Sequence, residues 1–205
     1  MMMPSHQITD LHELERIYGV PGAPSLLKET ARLVPAYRAM VEASPFLVLA
    51  TVGPEGLDCS PRGDAPGFVR VEGDATLLVP DRRGNNRIDS MRNIIRDPRV
   101  ALLFLIPGVH ESLRVNGRAA ISADPALCAR FEVDGRAPRT VLVVSIESVF
   151  FQCGRALLRS GLWRPSAERP KTPSAGTMLR EASGGREGGA DYDRGLPARQ
   201  RATLN

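Results

Sequence analysis

The distribution of apolar residues predicts a helical start to the chain. Asp10-Leu-His-Glu13 resembles a capping box, so a short helix should begin there and end at Gly19. A second helical stretch runs from Pro24 to Ser44, and we expect a kink or a restart at Pro35 because proline lacks a backbone donor. Residues 1–44 are therefore predicted to form an N-terminal helical segment. The apolar side of its second stretch should comprise Leu26, Leu33, Tyr37, Met40 and Val41.

From residue 46 the pattern becomes that of β-strands. Phe46–Val52 is a continuous apolar run, typical of a strand buried on both faces, and Leu57–Arg62 is the returning strand of a hairpin. Helices are expected at 87–96, 124–131 and 153–160, and further strands at 68–71, 76–79, 99–106, 112–121 and 140–151. Many short strands with hairpin turns favour a mainly β fold, a closed antiparallel barrel with helical additions. The strand-helix-strand unit at 75–106 alone would also suit a Rossmann-type sheet, but Gly-x-Gly-x-x-Gly is absent.

The last 42 residues differ in composition from the rest. After a barrel domain at 45–163, residues 164–205 are rich in proline, glycine, serine and charge. They contain few large apolar residues that could build a core. We therefore expect a C-terminal tail that is partly extended or mobile, or draped over a partner.

Charge and cysteine content exclude several classes of protein. The net charge is +4, of which residues 164–205 carry +3 (8 basic against 5 acidic), so the body is nearly neutral. A neutral body with few aromatic residues does not indicate nucleic-acid binding. No apolar run is long enough to span a membrane, and the first residues lack a secretory pattern. The three cysteines and three histidines are widely spaced, which predicts a reducing cytoplasm and no metal site.

An arginine-rich stretch lies between a predicted strand and a predicted helix. In Pro80-Asp-Arg-Arg-Gly-Asn-Asn86, Arg82 and Arg83 carry planar forks that match a phosphate group. Gly84 permits close backbone approach, and a following helix would offer its free N–H groups. The residues alone leave two interpretations open. The stretch binds a phosphate, or it is an exposed turn whose arginines pair with acids such as Asp81 or Asp89.

A second stretch has a similar density of special residues. Cys59–Phe68, CSPRGDAPGF, combines a hydroxyl, an arginine and an acid with glycine and proline. A solvated hairpin does not require this combination, which favours a binding role. The alternative is a loop with an internal pair between Arg62 and Asp64.

In their order, the motifs resemble those of the pyridoxamine 5′-phosphate oxidase-like family of FMN-binding split barrels, and the chain looks closest to an uncharacterised bacterial branch. The resemblance covers nearly the whole chain. Its motifs are FLVLATV from Phe46, SPRGD from Ser60, LVPDRRGN from Leu78, DPRVALLF from Asp97, LRVNGR from Leu113 and FFQCGRALLRSGLW from Phe150. The tail sequence LPARQ, from Leu196, differs from the C-terminal arginine-and-histidine motif that binds substrate in the pyridoxine-phosphate enzymes. Pyridoxamine phosphate is therefore not the expected substrate.

The resemblance implies an antiparallel FMN-binding split β-barrel that binds its cofactor at a homodimer interface. The residues implied to hold FMN fall into three groups. The phosphate is implied to contact Arg82, Arg83, Gly84 and Arg62, and Gly63 and Asn85 are counted with them as cofactor-binding residues. The backbone of Val79, Pro80 and Asp81 is implied to face the isoalloxazine ring. Gln152 is implied to contact the flavin near the end of the last strand. Arg155, Arg159 and Trp163 are further candidates for closing the site, and the alternative for these three is a basic amphipathic helix with a core tryptophan.

The implied activity is that of an FMN-dependent oxidoreductase that acts on an unidentified small molecule by hydride transfer through flavin N5. The sequence identifies no catalytic side chain. Three alternatives remain: a flavin-binding protein for sensing or storage, the same barrel with deazaflavin F420, and an interaction module that uses the basic tail.

Overall fold

The computed structural model describes residues 6–165 and 171–202. Its strands are β1 Phe46–Gly53, β2 Gly56–Gly63, β3 Arg70–Glu72, β4 Thr76–Pro80, β5 Arg99–Leu105, β6 Ser112–Ser122 and β7 Val141–Gln152. Its helices are α1 Leu11–Tyr18, α2 Ala23–Leu27, α3 Pro35–Ala43, α4 Asp89–Arg96, α5 Pro125–Ala129, α6 Arg155–Ser160, α7 Ala175–Ala182 and α8 Ala190–Ala202. No helix in these two ranges is long and apolar enough to cross a membrane.

All seven strands form one antiparallel sheet in the order β2-β1-β5-β6-β7-β4-β3. The predicted antiparallel, mainly β fold with helical additions is confirmed. The closure predicted from the hairpins is wrong, because β2 and β3 are edge strands that do not pair with each other. The open edges of β2 and β3 instead fit the split barrel that the resemblance implies.

The predicted helix boundaries in the first 44 residues are confirmed in their main features. The Asp10 carboxylate accepts a hydrogen bond from the Glu13 N–H at the start of α1, and Gly19 ends the helix. A new helix, α3, begins at Pro35. Proline is accommodated there because the first helical N–H has no partner within the helix. Leu26 is exposed, contrary to the prediction, because α2 ends at Leu27 and does not continue the buried side of α3.

The main core joins α3 and α4 to one face of the sheet. Leu33, Tyr37 and Val41 belong to the same buried cluster as the strand residues, so the second half of the N-terminal segment packs on the barrel. The strand β1 alternates, with Leu47, Leu49 and Thr51 buried and the intervening side chains partly exposed. The prediction that β1 is buried on both faces is therefore wrong for the single chain. The side chains on its outer face are apolar but only partly buried among the described residues.

The C-terminal tail contains two helices that were not predicted, at 175–182 and 190–202, and its partly extended or mobile character stays a prediction. Ser174 caps α7 by accepting a hydrogen bond from the Thr177 N–H. The Asp193 carboxylate of α8 accepts hydrogen bonds from Ser174 Oγ at 2.6 Å and from the Gly176 N–H at 2.7 Å. The two helices thus hold each other through polar contacts, which need no apolar core and leave no periodic apolar pattern in the sequence. The domain boundaries at 44 and 163 remain predictions.

Candidate functional site

The segment Asp81–Ile88, called here the arginine loop, crosses one end of the sheet between β4 and α4. At its start, the Asp81 N–H donates to the Thr140 carbonyl at 3.0 Å, which continues the pairing of β4 with β7. At its end, Ile88 adopts a left-handed conformation with φ of 53°. No side chain in the described part of the chain caps α4, so the N–H groups of its first turn have no side-chain acceptor there.

The two adjacent arginines of the loop have different surroundings. Arg82 is largely buried, and its Nε donates to Asp64 Oδ2 at 2.6 Å while its Nη1 donates to the Phe131 carbonyl at 2.7 Å. Arg83 is exposed and has no hydrogen-bond or ion-pair partner among residues 6–165 and 171–202. Arg82 therefore fixes the loop, and Arg83 keeps its whole guanidinium available for a ligand.

A cavity of about 380 Å³, the β2 cavity, lies between the arginine loop and β2. Arg62 and Gly63 from β2 line it, as do Arg83, Gly84 and Asn85 from the loop. The Nη1 atom of Arg62 donates within β2, to Ser60 Oγ at 2.6 Å and to the Pro61 carbonyl at 2.9 Å. Its Nε and Nη2 have no acceptor among the residues that the structure describes. The predicted residues from the two arginine-containing stretches are thus brought together.

The backbone of the loop also leaves donors free. Among the described residues, none accepts a hydrogen bond from the N–H groups of Gly84, Asn85 or Asn86. A side chain at Gly84 would meet no atom within 4 Å, so the backbone there borders open space. The donor set around this cavity, two guanidinium groups and several backbone N–H groups, matches the oxygens of a phosphate dianion.

A second cavity, the β7 cavity, lies on the other side of the arginine loop and measures about 620 Å³. It is lined by Arg139 and Thr140 ahead of β7, by Ile121 at the end of β6 and by Met91 of α4. This cavity was not predicted from the sequence. The one available signal was the proximity of two arginines, Arg136 and Arg139, to the start of a long strand.

Asp81 lines both cavities. Burial raises the pKa of its carboxyl from the ordinary value of 3.8, and the positive charges of Arg62 and Arg139 partly offset that effect. The predicted ring-facing residues before it, Val79 and Pro80, have buried side chains, so only their backbone can face a ligand.

Gln152 and Arg155 lie at the other end of β7 and line neither cavity. Pro80 pairs with Val141, and Gln152 is eleven residues further on, roughly 35 Å along the strand. There Gln152 Oε1 accepts a hydrogen bond from Ser112 Oγ at 3.4 Å. Trp163 is partly exposed and donates from Nε1 to the Val109 carbonyl at 2.8 Å. Within one chain, these residues do not meet the arginine loop.

The described residues contain no group of three histidine, cysteine or acidic side chains that could hold a metal ion. The three cysteines form no disulfide.

A comparison with protein-family models assigns most of the barrel to one family. Residues 33–153 match the family described as pyridoxamine 5′-phosphate oxidase, which is more than half of the chain. The chain belongs to this family. The fold is accordingly the split barrel, and the predicted family is confirmed.

Solved structures similar to this chain are distant in sequence. HupZ of Group A Streptococcus has 16% identity and a TM-score of 0.49 over 59% of this chain and 94% of its own. An F420 reductase has 21% identity and a TM-score of 0.44 over 57% of this chain and 98% of its own. General stress protein 26 of Bacillus anthracis has 18% identity and a TM-score of 0.42 over 55% of this chain and 88% of its own. No curated protein matches the sequence.

Proposed function

We propose that this protein binds FMN and is an oxidoreductase acting on a small molecule. The observation that carries the proposal is the uncommitted guanidinium of Arg83, which lies with that of Arg62 beside the β2 cavity. The phosphate of FMN would be held there by these two arginines and by the backbone N–H groups of Gly84 and Asn85. Membership of the pyridoxamine 5′-phosphate oxidase family supports a redox function but does not determine the substrate.

The chain's own residues would have three tasks. Arg62 and Arg83 would neutralise the phosphate, and Arg82 would keep the loop in position through Asp64. The backbone at Val79–Asp81 would orient the ring. Bound flavin would supply the redox chemistry by accepting a hydride at N5. The Asp81 carboxyl, whose pKa is raised, lines both cavities and would be the acid available to either.

We also propose a homodimer, because Gln152 and Arg155, which the resemblance implies for the site, lie away from the arginine loop of their own chain. Gln152 and Arg155 reach an arginine loop only if they come from a partner, since β7 separates them from their own loop by its full length. Phe151 is 37% exposed at that end, and β1 presents a partly exposed apolar face. A stable interface of this kind buries more than about 2,000 Å² in total. A monomeric mass at micromolar concentration with flavin bound would contradict this part of the proposal.

The test of the redox function uses the FMN-reconstituted protein under anaerobic conditions. We expect NADH or NADPH to bleach the flavin absorbance and a subsequent electron acceptor to restore it. Flavin that binds but is reduced by neither nucleotide would favour the sensing or storage alternative. A cytoplasmic location is part of the same proposal, and the absence of a disulfide among the three cysteines is consistent with it.

A further inference from the structure

Residues 6–27, called here the N-terminal arm, are not attached to the barrel of their own chain. Neither α1 nor α2 has a buried residue, and no hydrogen bond joins the arm to a described residue beyond Glu29. The chain is first bonded to the barrel at Thr30, whose N–H donates to the Val149 carbonyl at 3.0 Å, and at Lys28, whose carbonyl accepts from Tyr37 Oη at 2.7 Å. Isolated helices shorter than about 12 residues are marginal in water, so the eight-residue α1 requires a surface to pack on.

The helix α1 has an apolar side that is bordered by acids. Four exposed residues form this side: Leu11, Leu14, Ile17 and Tyr18. Leu11 is 74% exposed and Tyr18 is 80% exposed. At 3.6 residues per turn, Glu15 lies along one border of the apolar side and Glu13 along the other, while Arg16 lies on the opposite side. Neither carboxylate has a hydrogen-bond or ion-pair partner in the described ranges. Acidic borders are unsuited to an anionic membrane surface, because helices that lie on such membranes carry Lys and Arg there.

The helix α6 and the turn after it have the complementary character. Leu158 and Leu162 are each more than half exposed. Arg159 and Arg164 are exposed, and neither has a hydrogen-bond or ion-pair partner among the residues that the structure describes. Residues 153–164 contain three arginines and no acid. Exposed leucines beside unpaired positive charges on α6 thus match the apolar side of α1 and its unpaired negative charges.

The arm leaves the barrel at the end where α6 begins. Thr30 pairs with Val149, three residues before the last residue of β7, and α6 starts at Arg155. The Nζ atom of Lys28 lies 5.0 Å from the ring centroid of Phe151, which is itself exposed. Phe151 belongs to the surface proposed above for the homodimer. The arm and α6 therefore both lie beside the proposed dimer interface.

We propose that α1 of one copy packs on α6 of a second copy, with its apolar side against Leu158 and Leu162 and with Glu15 paired to Arg159. This inference rests on the proposed homodimer and identifies a contact within it. A two-fold axis would repeat the contact, so each copy would give its arm to the other. The contact assigns Arg159 to a basic amphipathic helix and not to the flavin site.

The experiment measures the dimer dissociation constant of the full-length protein by sedimentation equilibrium. Glu15→Arg and Arg159→Glu each place like charges at both repeats of the contact and should raise the constant about tenfold. Leu11→Gln removes an apolar group from both repeats and should raise it by about tenfold or more. Arg16→Glu, a charge reversal on the opposite side of α1, is the matched control and should stay within about twofold of wild type.

Mixing the two charge-reversal variants tests whether the contact joins two chains. In a heterodimer of Glu15→Arg and Arg159→Glu, each α1 faces an α6 of opposite charge on the other chain. The mixture should therefore return to within about threefold of the wild-type constant. A contact within one chain would give no rescue, since each chain would keep its own pair of like charges.

The other outcomes overturn the contact in distinguishable ways. Charge-reversal variants and Leu11→Gln that dimerise like wild type would overturn the contact and leave the proposed homodimer standing. Weakened variants without rescue in the mixture would also overturn the exchange of arms. A monomeric wild type would overturn the contact and the homodimer together. FMN titration of wild type in the same buffer tests the proposed cofactor separately.

Discussion

Arg82 and Asp64 form an ion pair that joins the arginine loop to the segment after β2, with Arg82 Nε 2.6 Å from Asp64 Oδ2. Both side chains are about one-fifth exposed. The pair fixes the loop at its second residue, and the next residue, Arg83, is left facing solvent and both cavities. Two neighbouring arginines of identical chemistry thus have separate roles, one structural and one available for a ligand.

We expect Arg82→Ala to destabilise the fold more than Arg83→Ala. The first removes two hydrogen bonds from a charged, largely buried group and should lower the free energy of unfolding by about 1.5–3 kcal/mol. The second removes an exposed side chain and should cost less than about 0.5 kcal/mol. Urea denaturation of wild type, Arg82→Ala and Arg83→Ala measures both effects, and Asp64→Asn with the Arg82→Ala/Asp64→Asn double variant tests the ion pair. Additive losses in the double variant would show that the pair is not coupled.

Asp81 should make the stability of the ligand-free protein depend on pH. Burial raises its pKa in the folded state above 3.8, so the native state binds this proton more tightly than the unfolded chain. The stabilisation from the protonated carboxyl is complete below 3.8 and is lost as pH rises through the folded-state pKa. Asp81→Asn should therefore have a higher free energy of unfolding than wild type at pH 7. That advantage should disappear as pH falls below 3.8.

The measurement for Asp81 is urea denaturation of the cofactor-free variant and wild type from pH 3 to pH 8. Glu132→Gln, which changes an exposed carboxylate with no partner among the described residues, is the control and should follow wild type throughout. A constant offset between Asp81→Asn and wild type across the whole range would refute the assignment to this carboxyl.

The C-terminal tail should be dispensable for folding of the barrel. All members of the two apolar cores lie between Leu33 and Val149, and α7 contacts α8 through Asp193. A protein ending at Trp163 should keep a cooperative unfolding transition, with a free energy of unfolding within about 1 kcal/mol of the full chain. Both proteins are compared at the same concentration, since a dimer's stability depends on it. Loss of the cooperative transition on truncation would show that the tail belongs to the folding unit.

Local signals in the sequence were sufficient to predict most elements of the fold. The cap at Asp10 and the proline at Pro35 act through their immediate neighbours, and both mark the observed helix starts. The strands follow from apolar runs between turn residues, and their order along the chain was predicted correctly. The two tail helices were missed because their mutual contacts are polar and depend on Asp193, seventeen residues from Gly176.

The residues of the candidate site could be predicted from the sequence, but the different roles of Arg82 and Arg83 could not. Nothing local distinguishes Arg82 from Arg83, since the difference arises from Asp64, eighteen residues earlier, and from the Phe131 carbonyl, forty-nine residues later. The β7 cavity was not predicted because Arg139 reaches the loop only through the pairing of β4 with β7. Contacts set by tertiary structure in this way leave no pattern in a single sequence.

The central claim is that Arg83 holds the phosphate of the cofactor, and it is tested most directly by titrating wild type and Arg83→Ala with FMN and riboflavin. Charge-assisted hydrogen bonds contribute about 1.5–3 kcal/mol each, so the substitution should weaken FMN roughly 10- to 150-fold. Riboflavin has no phosphate, and its affinity should be weak for wild type and unchanged within about twofold in the variant. Arg16→Ala serves as the control for loss of one exposed positive charge. Equal binding of FMN and riboflavin to wild type, or full FMN preference in Arg83→Ala, would contradict the account and assign the arginine loop to an exposed turn.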